Sequence, residues 1–329
     1  MKSGESKRHG VLLAAAAVLV LALAVVSVAV GVFDLSWQGL VEGGEERLNA
    51  LVLLASRVPR TIAVLLVGMS MGVAGLLMQL LSRNRFVSPS TAGTVESASF
   101  GILITMVFTP NAPVMVKMLI AAAFALAGTA LLMLIIRRTP LRSPLVVPLI
   151  GLMLGGVIGA ATTFIAYRYN LLQSLASWTT GDFSRVLRGR YELLWVSGGL
   201  TAIAYFAADR FTVAGMGESF TKNLGIDYRK VMILGLVIVS LVTAVNVVTV
   251  GAVPFIGLVV PNVVSLLVGD NVRRAIPWIA VFGAGFVLAC DLLGRTLRYP
   301  YEVPVGTVIG VVGAALFLFL LLRRSSRVG

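Results

Sequence analysis

The stretch RTIAVLLVGMSMGVAGLLMQLLS, residues 60–82, carries a charge only at its first residue, and 22 uncharged residues follow it. A helix of about 20 apolar residues is long enough to cross the hydrocarbon core of a bilayer. This stretch therefore predicts a membrane-spanning helix. Gly68, Gly72 and Gly75 recur along it, and small residues at such spacing let helices in lipid pack closely.

Comparable apolar runs recur over almost the whole chain. Hydrophobic residues make up 58% of the 329 residues and charged residues 12%, a balance outside that of soluble globular domains. We therefore predict an all-α fold, a polytopic membrane protein of about ten transmembrane helices. The charges, prolines and glycines between the runs place the spans at residues 10–33, 60–82, 92–109, 113–136, 145–168, 191–208, 230–250, 252–269, 275–297 and 304–322.

The N-terminal segment is polar and basic, which is typical of the start of a secretory signal peptide. The apolar run that follows it, Val11–Phe33, is longer than the core of such a peptide, and no small-residue cleavage site is obvious at its end. We therefore expect this run to be retained as the first span. The predicted organisation is a tail at residues 1–9, a transmembrane domain at 10–323 and a second tail at 324–329.

The basic residues predict the orientation of the helices. An even number of spans places both termini on one side, and basic loops are typical of the cytoplasmic side of a bacterial plasma membrane. Both termini and all four loops on their side are basic, so we expect both termini in the cytoplasm. The residues concerned are Lys2, Lys7, Arg8, Arg323, Arg324 and Arg327, and the loops are 82–85, 137–142, 209–230 and 269–274.

Arginines also occur on the predicted outer side, against this tendency. Contact with lipid headgroups is one explanation, and contact with a protein partner is another. These residues are Arg57, Arg60, Arg185, Arg188, Arg190, Arg295 and Arg298.

Residue types argue against several classes of function. The net charge of +13 comes from short clusters between apolar runs and not from one basic face, which argues against nucleic-acid binding. Cys290 is the only cysteine and His9 the only histidine, which argues against a disulfide, a metal site and histidine-based catalysis. We predict no catalytic residue and no cofactor. The sequence contains no glycine-rich ATP-binding loop ending in Gly-Lys-Ser/Thr.

The segment GAVPFIGLVVPN, residues 251–262, is the most specific motif in the chain. It resembles the Gly-Phe-Val-Gly-Leu-x-x-Pro-His segment of the FecCD family, the permeases of iron-siderophore and cobalamin importers. RVPRT at 57–61 is similar to the Arg-x-Pro-Arg start of the family's second span, and RNRFVSP at 83–89 to its Arg-Asn-Pro-x-x-x-Pro loop. With 291–295 and 303–306, the likeness runs in order from about residue 50 to the C-terminus.

The chain departs from the family pattern at a few positions. Asn262 and Ser265 stand where many members have a histidine and an arginine, and Arg85 replaces a common proline. These departures, with residues 86–94, are similar to the branch that handles catecholate siderophores such as petrobactin or enterobactin.

The resemblance implies a fold and an activity. The fold is the helix bundle of a type II ABC importer permease, like that of the cobalamin permease, and the activity is import of an iron-siderophore complex. A permease for cobalamin or heme is the alternative within the family. A secondary, ion-coupled transporter is an alternative outside it, but that class uses paired discontinuous helices and midplane carboxylates, and Glu96 alone gives it little support.

The resemblance also implies partners. In the family, two permease chains enclose a central path across the lipid bilayer, two ATPase subunits bind below, and an extracytoplasmic siderophore-binding protein delivers the substrate. The second permease is either an identical copy or a related chain, and the apparent branch favours a related one. ATP hydrolysis then belongs to a partner, and the chain itself is not an enzyme.

Residues on the predicted outer face match the family's docking positions for the binding protein. Arg57, Arg60 and Arg295 match arginines that pair there with glutamates, and the fixed fork of donors on arginine suits a carboxylate. We add Arg298, which lies on the same side, as a docking residue.

The loop at 209–230 resembles the family's coupling segment, which binds the ATPase. Its glycine Gly225 is expected to end a short helix in the left-handed conformation, although an ordinary loop is the simpler interpretation. Pro261 is expected beside this segment, or else it is only a helix kink. The complete set of coupling residues implied by the resemblance is Gly217, Glu218, Leu224, Gly225, Pro261 and Asn262.

Polar residues inside the predicted spans are costly in hydrocarbon and should face the bundle or a cavity. Gln79, Glu96 and Asn246 are the candidates for pathway or polar bundle positions. Glu96 either caps the third span or contacts substrate, and the cap is favoured. Asp291 lies four residues before Arg295, which predicts a local ion pair.

Overall fold

The computed structural model describes residues 2–30, 53–139, 145–189, 191–269 and 271–325. Thirteen α-helices lie in these ranges, and a π-helical turn at Leu53–Arg57 precedes the second. The helices are α1 Lys2–Ala29, α2 Val58–Ser82, α3 Thr94–Phe108, α4 Val114–Arg138, α5 Val146–Arg168, α6 Leu172–Thr179, α7 Leu194–Phe206, α8 Ala208–Gly215, α9 Glu218–Asn223, α10 Tyr228–Val250, α11 Ile256–Val268, α12 Val272–Thr296 and α13 Val305–Ser325.

The prediction of an all-α polytopic membrane protein is confirmed. Within the described ranges, seven helices are long and apolar enough to cross a membrane, and three apolar helices are shorter. Each of the ten predicted spans corresponds to one of these ten helices. The predicted end of the first span at 31–33 lies outside the described residues, as do Arg142, Arg190 and Arg327.

Some predicted boundaries differ from the structure. Residues expected to form a tail at 1–9 are helical from Lys2, and α13 continues to Ser325, since no proline interrupts either stretch. The expected loop at 209–230 contains two short helices, α8 and α9. The remainder of the second predicted tail, 326–329, lies outside the described residues.

The three shorter helices, α3, α7 and α11, have 15, 13 and 13 residues. At 1.5 Å per residue they span about 20 Å, less than the roughly 30 Å of hydrocarbon. Helix α11 begins after an irregular segment, residues 251–255, inside the bundle. The Ala252 amide in this segment donates to the Thr179 carbonyl at 3.1 Å. Irregular backbone at membrane depth is tolerated where protein surrounds it and satisfies its polar groups.

Helix α2 is the central helix of the bundle, packed against α7, α10, α11 and α12. Gly68 lies against the Gly283 backbone of α12, and Gly75 lies against Gly257 of α11. A Cβ atom on Gly68 or Gly75 would overlap these backbone atoms. The predicted role of small residues in close helix packing is therefore confirmed for α2.

We expect Gly75→Ala to lower the free energy of unfolding by about 1–3 kcal/mol, because the added methyl must push α2 and α11 apart. Thermal unfolding of the purified chain in detergent measures this loss. The matched control is Gly159→Ala in α5, where no atom lies within 4 Å of the added carbon. Its stability should be unchanged or raised by up to about 1 kcal/mol through helix propensity. Equal stability of the two variants would contradict the described packing.

Candidate docking and coupling sites

Four charged residues, three of them buried and Glu302 partly buried, form a network at the predicted outer face. Arg60, in the first turn of α2, donates to Asp291 of α12 at 2.8 Å and to Glu302 at 2.6 Å. Arg295 donates to the other carboxylate oxygen of Asp291. The Asp291 side chain is fully buried, so its charge is compensated by two arginines and not by water. The predicted ion pair between Asp291 and Arg295 is confirmed.

Two arginines hold the end of α1. The last carbonyls of a helix have no partner within the helix itself. Arg57 donates to the carbonyls of Val28 at 3.3 Å and Ala29 at 3.0 Å. Arg295 donates to those of Ser27 at 2.9 Å and Val30 at 3.1 Å. These side chains therefore serve as a C-terminal cap for α1.

The structure places Arg57, Arg60 and Arg295 in buried positions, and their role in docking stays a prediction. Their exposed fractions are 6%, 8% and 6%, and their donors bind Asp291, Glu302 and backbone carbonyls. The reason is that Asp291, Glu302 and the last carbonyls of α1 lie within hydrogen-bond distance of the three guanidinium groups and take the place of water. Arg298 is exposed, and its guanidinium lies 6.0 Å from the centre of the Tyr301 ring.

Sequence reasoning missed Glu302 as a member of the outer network. Glu302 lies 242 positions from Arg60, so no local spacing links the two residues. The available signal was charge balance, because acidic residues are few on a side that carries many arginines.

At the predicted inner face, the loop after α2 is fastened to α11. The Asn262 side-chain amide donates to the Arg85 carbonyl at 2.9 Å and to the Leu258 carbonyl at 2.7 Å. The Arg85 guanidinium in turn donates to the Ser265 hydroxyl at 3.1 Å. These are the three residues at which the chain departs from the family motif. Arg85 makes a hydrogen bond with each of the other two, Asn262 and Ser265.

Pro261 lies inside α11 and leaves a carbonyl unpaired one turn earlier. Proline has no amide hydrogen, so the carbonyl of the residue four positions before it loses its helical donor. That residue is Gly257, and the Gln79 side chain donates to its carbonyl at 3.4 Å. Gln79 of α2 therefore compensates for the proline in α11.

The predicted coupling segment folds into a compact unit around α9. Gly217 precedes the helix with φ 118°, and Gly225 follows it with φ 73°, the left-handed region expected for a terminating glycine. The buried Thr221 hydroxyl donates to the Gly217 carbonyl at 2.6 Å. Glu218 pairs with Lys222 at 2.8 Å, and this hydrogen bond and charge lower the pKa of Glu218.

One side of this segment is apolar and exposed. Met216, Phe220 and Leu224 follow one another at intervals of four residues, and all three are exposed. Phe220 and Leu224 lie on one side of α9, since residues four apart share a helix face, and Met216 lies just before the break in the helix at Gly217. We call this set the apolar stripe. It is of the composition that anchors protein interfaces.

The segment also contacts the end of α2. Arg83 ends α2 in the left-handed conformation, with φ 47°. A Cβ on Gly217 would lie 3.2 Å from Nη1 of Arg83, so the guanidinium lies against the Gly217 backbone. Movement of the segment therefore reaches α2 directly.

The three candidate polar residues inside the bundle have separate surroundings. Gln79 binds Gly257, as described above, and the Asn246 side-chain amide donates to the Ser70 hydroxyl at 3.2 Å. Glu96 lies in the first turn of α3, where a carboxylate interacts favourably with the helix dipole. Among the described residues, one carboxylate oxygen of Glu96 is buried without a hydrogen-bond partner. The three do not form one site.

Known proteins are similar to this chain over most of its length, well beyond the short sequence motifs. Residues 18–323 match the model of the FecCD transport family. The petrobactin import system permease protein YclN of Bacillus subtilis (strain 168) is 49% identical over 309 residues, covering 94% of this chain and 97% of that protein. The petrobactin import system permease protein FatD of Bacillus anthracis is 40% identical, covering 94% and 90%. The ferric-anguibactin transport system permease protein FatD of Vibrio anguillarum is 41% identical, covering 83% and 87%.

Solved structures show the same fold. A protein described as a metal-chelate type ABC transporter, in an inward-facing conformation, superposes with a TM-score of 0.80 at 23% identity, covering 95% of this chain and 99% of that one. PsaBC from Streptococcus pneumoniae, in complex with Fab, gives a TM-score of 0.61 at 16% identity, covering 84% and 94%.

Proposed function

This chain belongs to the FecCD transport family, and from that premise we propose that it is the transmembrane permease subunit of an ATP-binding-cassette importer for iron-siderophore complexes. The observation that carries the proposal is the likeness, over nearly the full length of both chains, to petrobactin import permeases. We further propose a ferric catecholate of the petrobactin kind as the substrate. The departures from the family motif at Arg85, Asn262 and Ser265 fit that branch.

The partners follow from this function. Because the sequence has no ATP-binding loop, two ATPase subunits supply the hydrolysis, and we propose that they bind the coupling residues at 217–225 with the apolar stripe as anchor. We propose that a second permease, a related chain and not an identical copy, completes the path. An extracytoplasmic siderophore-binding protein delivers the substrate. This arrangement places both termini in the cytoplasm.

A mechanical path leads from the ATPase site into the bundle. Gly217 contacts Arg83 at the end of α2, and α2 is in backbone contact with α11 through Gly75 and Gly257. Asn262 fastens α11 back to the loop after α2. Closure of the ATPase pair would therefore move α2 and α11 as one rigid body.

The outer docking surface that we propose is the turn after α12. Leu297, Arg298 and Tyr301 are exposed there, and arginine and tyrosine are the residues that most often anchor interfaces. The base of the turn is fixed, because the Val303 amide donates to the Gly294 carbonyl at 2.9 Å. A fixed base lowers the cost of ordering the turn on binding.

We expect Arg298→Glu to slow association of the loaded binding protein about tenfold at low salt, since a rim charge acts mainly on the association rate. Surface plasmon resonance on the reconstituted importer measures the rate. Arg168→Glu, at an exposed arginine that ends α5 on the predicted outer side, is the control and should change the rate little. If both variants slowed association equally, the effect would come from the overall charge of the permease, and docking at Arg298 would be contradicted.

The test of the function is reconstitution of the full importer in proteoliposomes. Uptake of ferric petrobactin should require the binding protein and ATP, and uptake should stop when the ATPase subunits are omitted. Helix α11 begins inside the bundle, and discontinuous helices are also a feature of ion-coupled transporters. Uptake driven by a proton gradient without any ATPase would therefore replace the ABC proposal with that alternative.

A further inference from the structure

A cavity of about 260 Å³ opens at the predicted inner face between α2, α11 and α12. Its lining includes the apolar side chains of Leu76, Leu80 and Val272. The polar lining includes the Arg83 guanidinium, while the Asn262 amide that also lines the cavity already donates to the Arg85 and Leu258 carbonyls. Of the described lining residues, two are arginines and none is acidic. A cavity with apolar walls and cationic donors suits the carboxylate of an aspartate or glutamate on a short aliphatic stem.

Arg83 is the residue best placed to bind such a group. It is exposed at the mouth of the cavity, and its guanidinium is positioned by the Gly217 backbone beneath it. No hydrogen bond from this guanidinium to any residue in the described ranges is found. The Glu218 carboxylate pairs with Lys222 at 2.8 Å, and the charge of Arg83 makes only a smaller contribution to lowering the pKa of Glu218.

The cavity continues the surface that the ATPase is proposed to cover. Gly215 lines it, and Met216, the first residue of the apolar stripe, follows directly in the chain. A partner that binds the apolar stripe would therefore also lie next to the mouth of the cavity. Apolar contact beside a charged contact is the usual arrangement of an interface core and its rim.

We propose that this cavity receives an acidic side chain of the ATPase subunit, which Arg83 binds through its guanidinium. The inference rests on the proposed function and deepens it, because it gives the ATPase a second contact beside α9. That contact lies on the end of α2 itself. It links the nucleotide-driven movement to the central helix without passing through the coupling segment.

Carbodiimide crosslinking tests the proposal, because it joins an amine to a carboxylate only when the two are in contact. In the assembled importer, Arg83→Lys keeps the charge and supplies the amine. We expect a crosslink from position 83 to an aspartate or glutamate of the ATPase, identified by mass spectrometry and absent from the wild-type complex. Arg168→Lys, at an exposed arginine that ends α5 on the predicted outer side, is the control and should give no such crosslink.

The other outcomes overturn the proposal. A crosslink to Glu218 would make the Arg83 contact internal, and absence of any new crosslink in an assembled, ATP-hydrolysing complex would leave the cavity without an acidic partner. As a second measurement, Arg83→Gln should weaken ATPase binding about tenfold at low salt, and the difference should shrink at high salt. Unchanged binding with lost transport would place the cavity on the substrate path. Failure of the wild-type chain to bind any ATPase would instead refute the proposed function.

Discussion

Asp291→Ala is expected to lower the free energy of unfolding by about 3–5 kcal/mol, the largest loss of stability for any single substitution considered. Removing one partner of a buried ion pair leaves the other charge uncompensated in a medium of low dielectric constant. Here Asp291 accepts from both Arg60 and Arg295, so one substitution affects two buried cations. Glu302 would then be the one remaining acid of the network.

Thermal unfolding of the purified chain in detergent, followed by chemical denaturation at one temperature, measures the loss. Asp209→Ala is the matched control, because Asp209 also pairs with an arginine, Arg273, at 2.8 Å. Those two side chains are 69% and 61% exposed, and such surface pairs contribute about 0–1 kcal/mol. Similar losses in both variants would show that burial at Asp291 does not carry the effect.

The helices could be predicted from the sequence because a helix that crosses a membrane needs about 20 apolar residues in a row. Each of the ten apolar runs forms an apolar helix in the described part of the chain, and the glycines of α2 indicated its close packing. The start of α11 inside the bundle could not be foreseen in this way. The irregular segment before it depends on backbone partners such as Thr179, which lies 73 positions before Ala252 and carries no sequence signal for that contact.

The roles of individual charges were harder to predict. The pair of Asp291 and Arg295 could be predicted because its members are one helical turn apart. The contact of Arg60 with Asp291 joins residues 231 positions apart, and only the fold shows it. The motif positions Arg57, Arg60 and Arg295 are predicted to lie at the outer face, and the structure shows that they bind acids and carbonyls of the chain itself.

The structure explains why Gln79 lies opposite the motif residue Pro261. A kink is the expectation from proline alone. The structure adds that Gln79 of α2 donates to the carbonyl that the proline leaves unpaired. A glutamine inside an apolar span therefore has a packing partner, and a place on a substrate path is not needed to explain it.

The double substitution Phe220→Asp with Leu224→Asp is expected to weaken ATPase binding to the permease by about a hundredfold or more. Loss of one interface anchor costs at least about 2 kcal/mol, and each 1.4 kcal/mol is about a factor of ten in affinity. Both side chains are exposed, so their replacement by aspartate should leave the fold intact. Co-purification and a titration of the ATPase subunits against the detergent-solubilised permease pair measure the change.

The control for this experiment is Lys222→Asp on the same short helix. Position 222 is about 200° around the helix from Phe220, so it faces away from the apolar stripe, and the change of charge there is larger than at either tested position. If added negative charge alone weakened binding, the control would do so as well. If the apolar stripe is the anchor, the control should bind the ATPase within about threefold of the wild type, while the double variant loses both assembly and ATP-driven uptake. Normal assembly of the double variant would contradict the proposal, because it would show that Phe220 and Leu224 do not contact the ATPase.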